Sequence, residues 1–173
     1  MDLYELLHER YSVRSFKDKE VPKEVIEKLL EAARVAPTAH NNQAFHIYIL
    51  QGKGADSIIS KISACNYHAP LNLLITLKRK DSWIRQDGYM AADIDIGIVG
   101  THIMLMAEEL GLGCCWISVI NCDAAKEQLD LPSDEELVTI LEIGYKAEDS
   151  KPGPWHLKRK TISQISTVVE MKK

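Results

Sequence analysis

From about Tyr89 to Leu110, apolar residues recur at helical spacing for longer than anywhere else in the chain. A helix of that length needs a packed layer to cover its apolar side. Its inward positions are Tyr89, Ala92, Ile96, Val99, Ile103, Met106 and Leu110, and Gly111 and Gly113 end it in the manner of a C-terminal cap. Four runs rich in β-branched and aromatic residues supply the layer as strands: Phe45 to Leu50 (FHIYIL), Leu71 to Leu77 (LNLLITL), Cys114 to Ile120 (CCWISVI) and Val138 to Ile143 (VTILEI), the last ended by Gly144. The Leu71 run reads as the central strand.

Shorter helices are expected on either side of these strands. Asp2 to Glu9 carries Leu3, Leu6 and Leu7 at helical spacing. Pro22 to Val35 starts with proline in its first turn and bears the stripe Val25, Ile26, Leu29, Leu30 and Ala33, until Pro37 stops it. Gly52-Lys53-Gly54 turns the chain into a helix at about Ala55 to Ala64, and Asn121 to Leu129 forms another, capped by Asn121 or Asp123. The tail from Lys146 is charged and contains Pro152 and Pro154, with no core pattern until Ile162 to Val169. There are no repeats. The expected fold class is α+β: a modest sheet flanked by helices with a long central helix, in one domain spanning residues 1–173.

Composition narrows the function classes. A net charge of -4 argues against a nucleic-acid partner, which needs a basic surface to displace phosphate counterions. No apolar run approaches the ~20 residues that span a bilayer, and the start, MDLYELLHERYSVRSF, lacks the apolar core of a signal peptide. A cytoplasmic protein without a membrane partner is expected. Of the four cysteines, Cys65, Cys114, Cys115 and Cys122, the adjacent pair should point to opposite faces of a strand. None has CxxC or zinc-finger spacing, so buried reduced thiols are expected.

Four segments carry the chemistry. Arg10-Tyr11-Ser12-Val13-Arg14 sets two guanidinium forks about a hydroxyl, a donor set suited to a phosphate and a polar sugar chain. In an extended segment Arg10, Ser12 and Arg14 share a face; the alternative is a solvated loop whose arginines pair with Glu5 or Glu9. Ala36-Pro37-Thr38-Ala39-His40-Asn41-Asn42-Gln43 packs amide, hydroxyl and imidazole groups into one loop, which suits either the edge of a heterocycle or an ordinary turn. Trp116, Ile117 and Ser118 lie on the third strand. The triplet Lys158, Arg159 and Lys160 either neutralises a phosphate or belongs to a solvated tail.

The order and wording of these segments resemble the nitroreductase family of FMN-dependent oxidoreductases over nearly the whole chain. The matching motifs are R-x-S-x-R (Arg10, Ser12, Arg14), A-P-S/T-x-x-N-x-Q (Ala36, Pro37, Thr38, Asn41, Gln43), G-L-G leading into a strand (Gly111 to Ile117), and G-Y with a late basic cluster (Gly144-Tyr145, Lys158 to Lys160). The resemblance implies FMN in a groove at a homodimer interface. It assigns Arg10 and Ser12 to the phosphate and ribityl chain, and Arg14 to the pyrimidine end, where a cation raises the reduction potential. It assigns Pro37, Thr38, Asn41 and Gln43 to the partner's flavin, Trp116, Ile117 and Ser118 to the isoalloxazine, and Lys158, Arg159 or Lys160 to the phosphate. No side chain then needs to act as catalytic acid or base. NADH or NADPH gives hydride to the flavin, and a small-molecule oxidant such as a nitroaromatic, quinone or free flavin collects it in a ping-pong cycle. The chain departs from the family pattern in its short length, in Ser118-Val119-Ile120 where a glycine-rich turn is expected, and in the tail KPGPWHLKRK.

Other chemistries fit less well. His40, His46, His68 and His102 with Cys65 match no zinc spacing. Asp93 and Asp95 stand two apart on a helix and face different ways. The GxGxxG and P-loop patterns are absent. The alternative function class is an FMN carrier or redox sensor with little turnover.

Overall fold

The computed structural model describes residues 2–171. Helix α1, Leu3–Glu9, begins at Asp2, whose side chain accepts the Glu5 N–H while Glu5 returns the bond to the Asp2 N–H. That reciprocal capping box satisfies two of the donors a helix start leaves free. Helix α2, Lys23–Arg34, has Pro22 at its N-cap rather than inside its first turn. It buries Ile26, Leu29, Ala32 and Ala33.

A single left-handed-entry turn at Ala39–Asn41 leads to strand β1, Phe45–Gln51. Helix α3, Ala55–Ile62, and strand β2, Leu71–Leu77, follow. Helix α4, Ala92–Glu109, precedes strand β3, Gly113–Ile117. Helix α5, Cys122–Leu129, is capped by the Asn121 side chain, not by Asp123. Strand β4, Glu136–Gly144, and the short helix α6, Ile162–Ile165, complete the order.

The four strands form one antiparallel sheet in the order β1-β2-β4-β3. Every residue of β2 is buried because both faces of the sheet are covered. On one face Leu71, Leu73, Ile75, Leu141, Ile143 and Cys114 pack under α2 and α4. On the other, Leu74, Ile140, Cys115 and Ile117 pack with Ile59 and Ile62 of α3 and Ala125 of α5. Cys114 and Cys115 thus enter different cores, as period-two alternation requires. The fold is α+β, helix pairs on both sides of a small sheet, with α4 the longest element.

The structure differs from the sequence expectations at several boundaries. Helix α4 starts at Ala92, not Tyr89, because the preceding residues are held in a turn. Met90 bridges Ile84, Arg85 N–H donates to the Tyr89 carbonyl, and Tyr89 is exposed. Gly111, at φ +74°, caps α4 in a full Schellman motif: its N–H donates to the Glu108 carbonyl, and Leu112 N–H reaches the Ala107 carbonyl. Gly113 is not part of that cap. It opens β3, and a Cβ there would meet Val13 Cγ2 at 2.5 Å.

Strand β3 ends at Ile117, short of Ile120, because α3 captures the chain beyond it. Ser63 Oγ donates to the Val119 carbonyl and Asn121 N–H to the Ile62 carbonyl. Helix α3 itself stops at Ile62 rather than Ala64. The tail pattern at Ile162 to Val169 builds no core: Ile162, Ile165, Val168 and Val169 are all exposed. Of the cysteines only Cys114 and Cys115 are buried; Cys65 is half-buried and Cys122 exposed, and all four are free thiols.

Candidate functional site

The segment after α1 runs along the open edge of β3. Ser12 forms a parallel bridge with Cys114, Val13 N–H donates to the Cys114 carbonyl at 3.1 Å, and Phe16 bridges Lys146 beyond the end of β4. Val13 is wholly buried against Gly113 and acts as the peg that holds this segment. With Val13 turned inward, its neighbours Ser12 and Arg14 turn outward.

Arg10, Tyr11, Ser12 and Arg14 line a cleft of about 340 Å³ whose far wall is Gly153, Pro154, Trp155, His156 and Arg159. Arg10 reaches Met104 Sδ on α4 at 3.7 Å, and Arg14 lies 5.7 Å above the Tyr67 ring. Arg159 spends one nitrogen on the Trp155 and Lys158 carbonyls. Among the described residues none of these three arginines is paired with a carboxylate, so the alternative of pairing with Glu5 or Glu9 is not what the structure contains. Three guanidiniums around one cleft repel one another unless an anion joins them, and their planar forks match phosphate oxygens. Lys158 and Lys160 are exposed and do not line the cleft.

Several cleft residues were not singled out in the sequence. Tyr11 braces the floor: its hydroxyl meets Ser150 Oγ at 3.1 Å, His156 meets its ring edge-on, and the Lys146 ammonium lies over it. Gly153, Pro154, Trp155 and His156 form the wall opposite. The usable signal was the run Pro152-Gly153-Pro154-Trp155-His156, one residue before the basic triplet, a stiff turn that fixes where Arg159 begins.

The polar loop lies elsewhere. His40, Asn41 and Gln43 all have positive φ, near +50°, which costs a non-glycine residue roughly 1 kcal/mol each. The conformation is held by Ala39 N–H on Asp95 Oδ1 at 3.0 Å, Gln43 N–H on Thr38 Oγ1 at 3.1 Å, and Asn42 Nδ2 on the Asp81 carbonyl at 2.9 Å. Asp95 is buried and Asp93 is exposed on Arg79, so the two carboxylates do face apart. The result is a preformed loop that leaves Pro37, Asn41 and Gln43 exposed and stacks His40 on Trp83 at 5.3 Å. Asp95 anchors this loop and Met104 touches Arg10, so nine residues of α4, about 13 Å, separate the two along the helix. Within one chain the loop and the cleft do not form one pocket.

Trp116, Ile117 and Ser118 divide between environments. The Trp116 indole lies on Gly100 of α4, where a Cβ would sit 2.2 Å from the ring, and its Nε1 donates to Ser118 Oγ at 3.0 Å. Ile117 is buried on the α3 and α5 side, and its carbonyl accepts from Thr139 Oγ1. Ser118 is exposed. None of the three lines the arginine cleft.

Comparison with known proteins agrees with this architecture. A family model described as "Putative TM nitroreductase" matches residues 2–173. A nitroreductase family protein from Clostridium difficile 630 is 37% identical and superposes with a TM-score of 0.90, covering 99% of this chain and 100% of that one. An FMN-dependent nitroreductase from Clostridium difficile R20291 is 27% identical with a TM-score of 0.75, over 90% of this chain and 95% of that one. An NADPH-dependent oxidoreductase of Staphylococcus haemolyticus is 26% identical over 170 residues, 88% of this chain and 68% of its own length.

Proposed function

The chain belongs to the nitroreductase family, and on that premise we propose that it is an NAD(P)H-dependent oxidoreductase holding FMN non-covalently between two copies. The observation that carries this reading is the cleft itself: three arginines and a serine hydroxyl around about 340 Å³, with no carboxylate partner among the described residues. That donor set fits a phosphate monoester with a polyol chain. Arg10, Ser12 and Arg159 would hold the phosphate end. Lys158 and Lys160, exposed beside the cleft, would add positive field without contact. Arg14 would place a cation at the pyrimidine end, where it favours the reduced, anionic form of the cofactor.

A second copy is part of the proposal because the polar loop and the cleft are set apart along α4. Pro37, Thr38, Asn41 and Gln43 of the partner subunit would close the site, their loop already held in its strained form. The outer face of α4 offers Ile94, Ile98 and Leu105 in one stripe, with Leu3 and Leu7 of α1 exposed beside it. An apolar groove of about 380 Å³ between α1, α2 and α4 lies along this face, and the tail beyond Pro154 exposes Trp155, Leu157, Ile162, Ile165, Val168 and Val169. Apolar surface on that scale is ordinarily covered by another chain. Trp116, Ile117 and Ser118, at the exit of β3, would meet the isoalloxazine through backbone groups.

When bound, FMN supplies two-electron chemistry, alternately accepting hydride from NADH or NADPH and passing it to a nitroaromatic, quinone or free flavin. The protein's share is to bind, orient and exclude water, and none of the cleft side chains is needed as a catalytic acid or base. We place the protein in the cytoplasm on the strength of its four free thiols; no described helix is long and apolar enough to cross a membrane. The test is anaerobic mixing of purified, FMN-loaded protein with NADPH and with NADH. Rapid loss of the yellow colour, restored by a quinone, is the expected result. Persistence of the colour over minutes with both donors would favour a flavin carrier instead.

A further inference from the structure

Beneath Arg14 lies a buried polar row that the proposed chemistry does not use. Asn72 on β2, Glu142 on β4 and Cys115 on β3 are direct neighbours across the sheet, on the face that packs against α3 and α5. Glu142 has no exposed surface and Asn72 almost none. Glu142 Oε2 accepts the Tyr67 N–H at 2.9 Å, while Oε1 has no partner. Asn72 Nδ2 donates to the Ala69 carbonyl at 3.3 Å, which fixes the amide and leaves Oδ1 without a partner too.

Directly opposed residues on antiparallel strands bring their side chains to roughly 5 Å. Two orphan acceptors side by side in a core are unfavourable twice over: neither is satisfied, and they repel. One proton removes both defects, because a carboxylic acid is a donor where a carboxylate is not. We propose that Glu142 is carried as the neutral acid, its Oε1–H donating to Asn72 Oδ1, so that the carboxyl lying under the Tyr67–Arg14 contact brings no negative charge to the underside of the cleft. Tyr67 is the link, since its backbone N–H is held by Glu142 and its ring carries the guanidinium. Glu142 accepts that N–H in either protonation state and touches neither cofactor nor substrate; what the proton removes is its charge. The cleft half rests on the flavin reading; the protonation half does not.

The charges around the carboxyl agree. Burial raises its pKa to about 7, and Asp56 of α3 pushes the same way, while the Tyr67 N–H and His68 pull it down. Across the strand pair Cys115 is itself pushed up by burial to about 11 and is neutral, with Arg14 pulling it down and Cys65 pushing it up. Nothing in the row supplies a full counter-charge.

The sign of the pH effect follows. A carboxyl whose folded pKa lies above its unfolded value of about 4.5 stabilises the fold fully below that value, and the contribution is lost as pH rises through about 7. Glu142→Gln keeps an acceptor for Tyr67 and gives Asn72 a permanent donor, so it removes the titration while preserving both bonds. In urea unfolding of the flavin-free protein, the unfolded-to-folded ratio of wild type should rise roughly 50-fold relative to the variant between pH 5 and pH 7.5. Parallel pH dependence of the two proteins would overturn the assignment. Infrared difference spectra of the wild type should contain a protonated-carboxyl stretch at pH 6 that is gone at pH 8.5; its absence at pH 6 overturns the assignment even if the variant fails to fold. For the effect on the cleft, the ratio of wild-type to variant Kd for FMN should increase about threefold or more from pH 6 to pH 8.5, the Coulomb effect of one new negative charge near the cleft. The phosphate's own titration cancels in that ratio. A flat ratio removes the effect on the cleft, and failure of both proteins to bind FMN at any pH removes the flavin reading while the first two measurements still decide the protonation.

Discussion

Replacing Gly113 by alanine tests the link between packing and the cleft most directly. The new Cβ would lie 2.5, 2.8 and 2.9 Å from Cγ2, Cβ and Cγ1 of Val13. Ordinary carbon contacts are about 3.5–4 Å, so Val13 must retreat by about 1 Å. It has little room to do so, being wholly buried and tied by its N–H to the Cys114 carbonyl. Overpacking of this kind costs about 1–3 kcal/mol, which in a chain of this size lowers Tm by roughly 3–10 °C. Because Ser12 and Arg14 flank Val13, the same displacement should weaken FMN binding, although Gly113 lies outside the cleft. Differential scanning fluorimetry and flavin titration read the two effects. Val13→Ala removes both methyls and by itself costs about 2–3 kcal/mol from lost burial and cavity. In that background Gly113→Ala should be milder by about 1 kcal/mol, with relief incomplete because the Cβ contact at 2.8 Å persists. Strict additivity of the two substitutions, or a Gly113→Ala protein with unaltered stability and flavin affinity, would refute the wedge.

Arg14→Ala should lower the reduction potential of bound FMN and slow its reduction by NADPH, since on the proposed reading it removes the cation that favours the reduced form; redox titration giving the wild-type potential would remove that role. If two copies share the cofactor as proposed, flavin should strengthen their association, because a ligand that binds only the assembled form pulls the equilibrium toward it; sedimentation equilibrium with the same constant with and without FMN would count against a shared site. In the native protein a thiol reagent at pH 8 should modify Cys122 quickly and Cys65 more slowly, while Cys114 and Cys115 react only on unfolding. Burial denies the reagent access to the latter pair and holds both thiols above their ordinary pKa, Cys115 at about 11. Three or more fast equivalents would contradict the packing of β3 between two cores.

Where local pattern dictates local structure, the sequence was legible. Runs of β-branched, aromatic and apolar residues located each described strand, and helical spacing, turn glycines and capping residues each described helix of eight residues or more, while the adjacent cysteines entered opposite cores as alternation demands. Chemistry was legible by residue type: two arginines and a serine at alternate positions do share a cleft. The boundaries that went astray depend on partners outside the element itself. Tyr89 has a helical position but is held in a turn by the Ile84–Met90 bridge, and Val119 and Ile120 have strand character but follow bonds to the end of α3.

The sequence by itself determined the α+β class, the period of each element and the inventory of cationic and amide groups, because these follow from side-chain type and spacing along the backbone. Only the tertiary structure decided which of those groups meet. It put Arg159, and not Lys158 or Lys160, across from Arg10 and Arg14, and it set the Thr38–Gln43 loop at the other end of α4. It also brought Asn72 beside Glu142, residues 70 positions apart in the chain, on neighbouring strands. Such pairings are fixed by strand order and register, which minimise the free energy of the whole sheet and leave no trace in any short stretch of sequence.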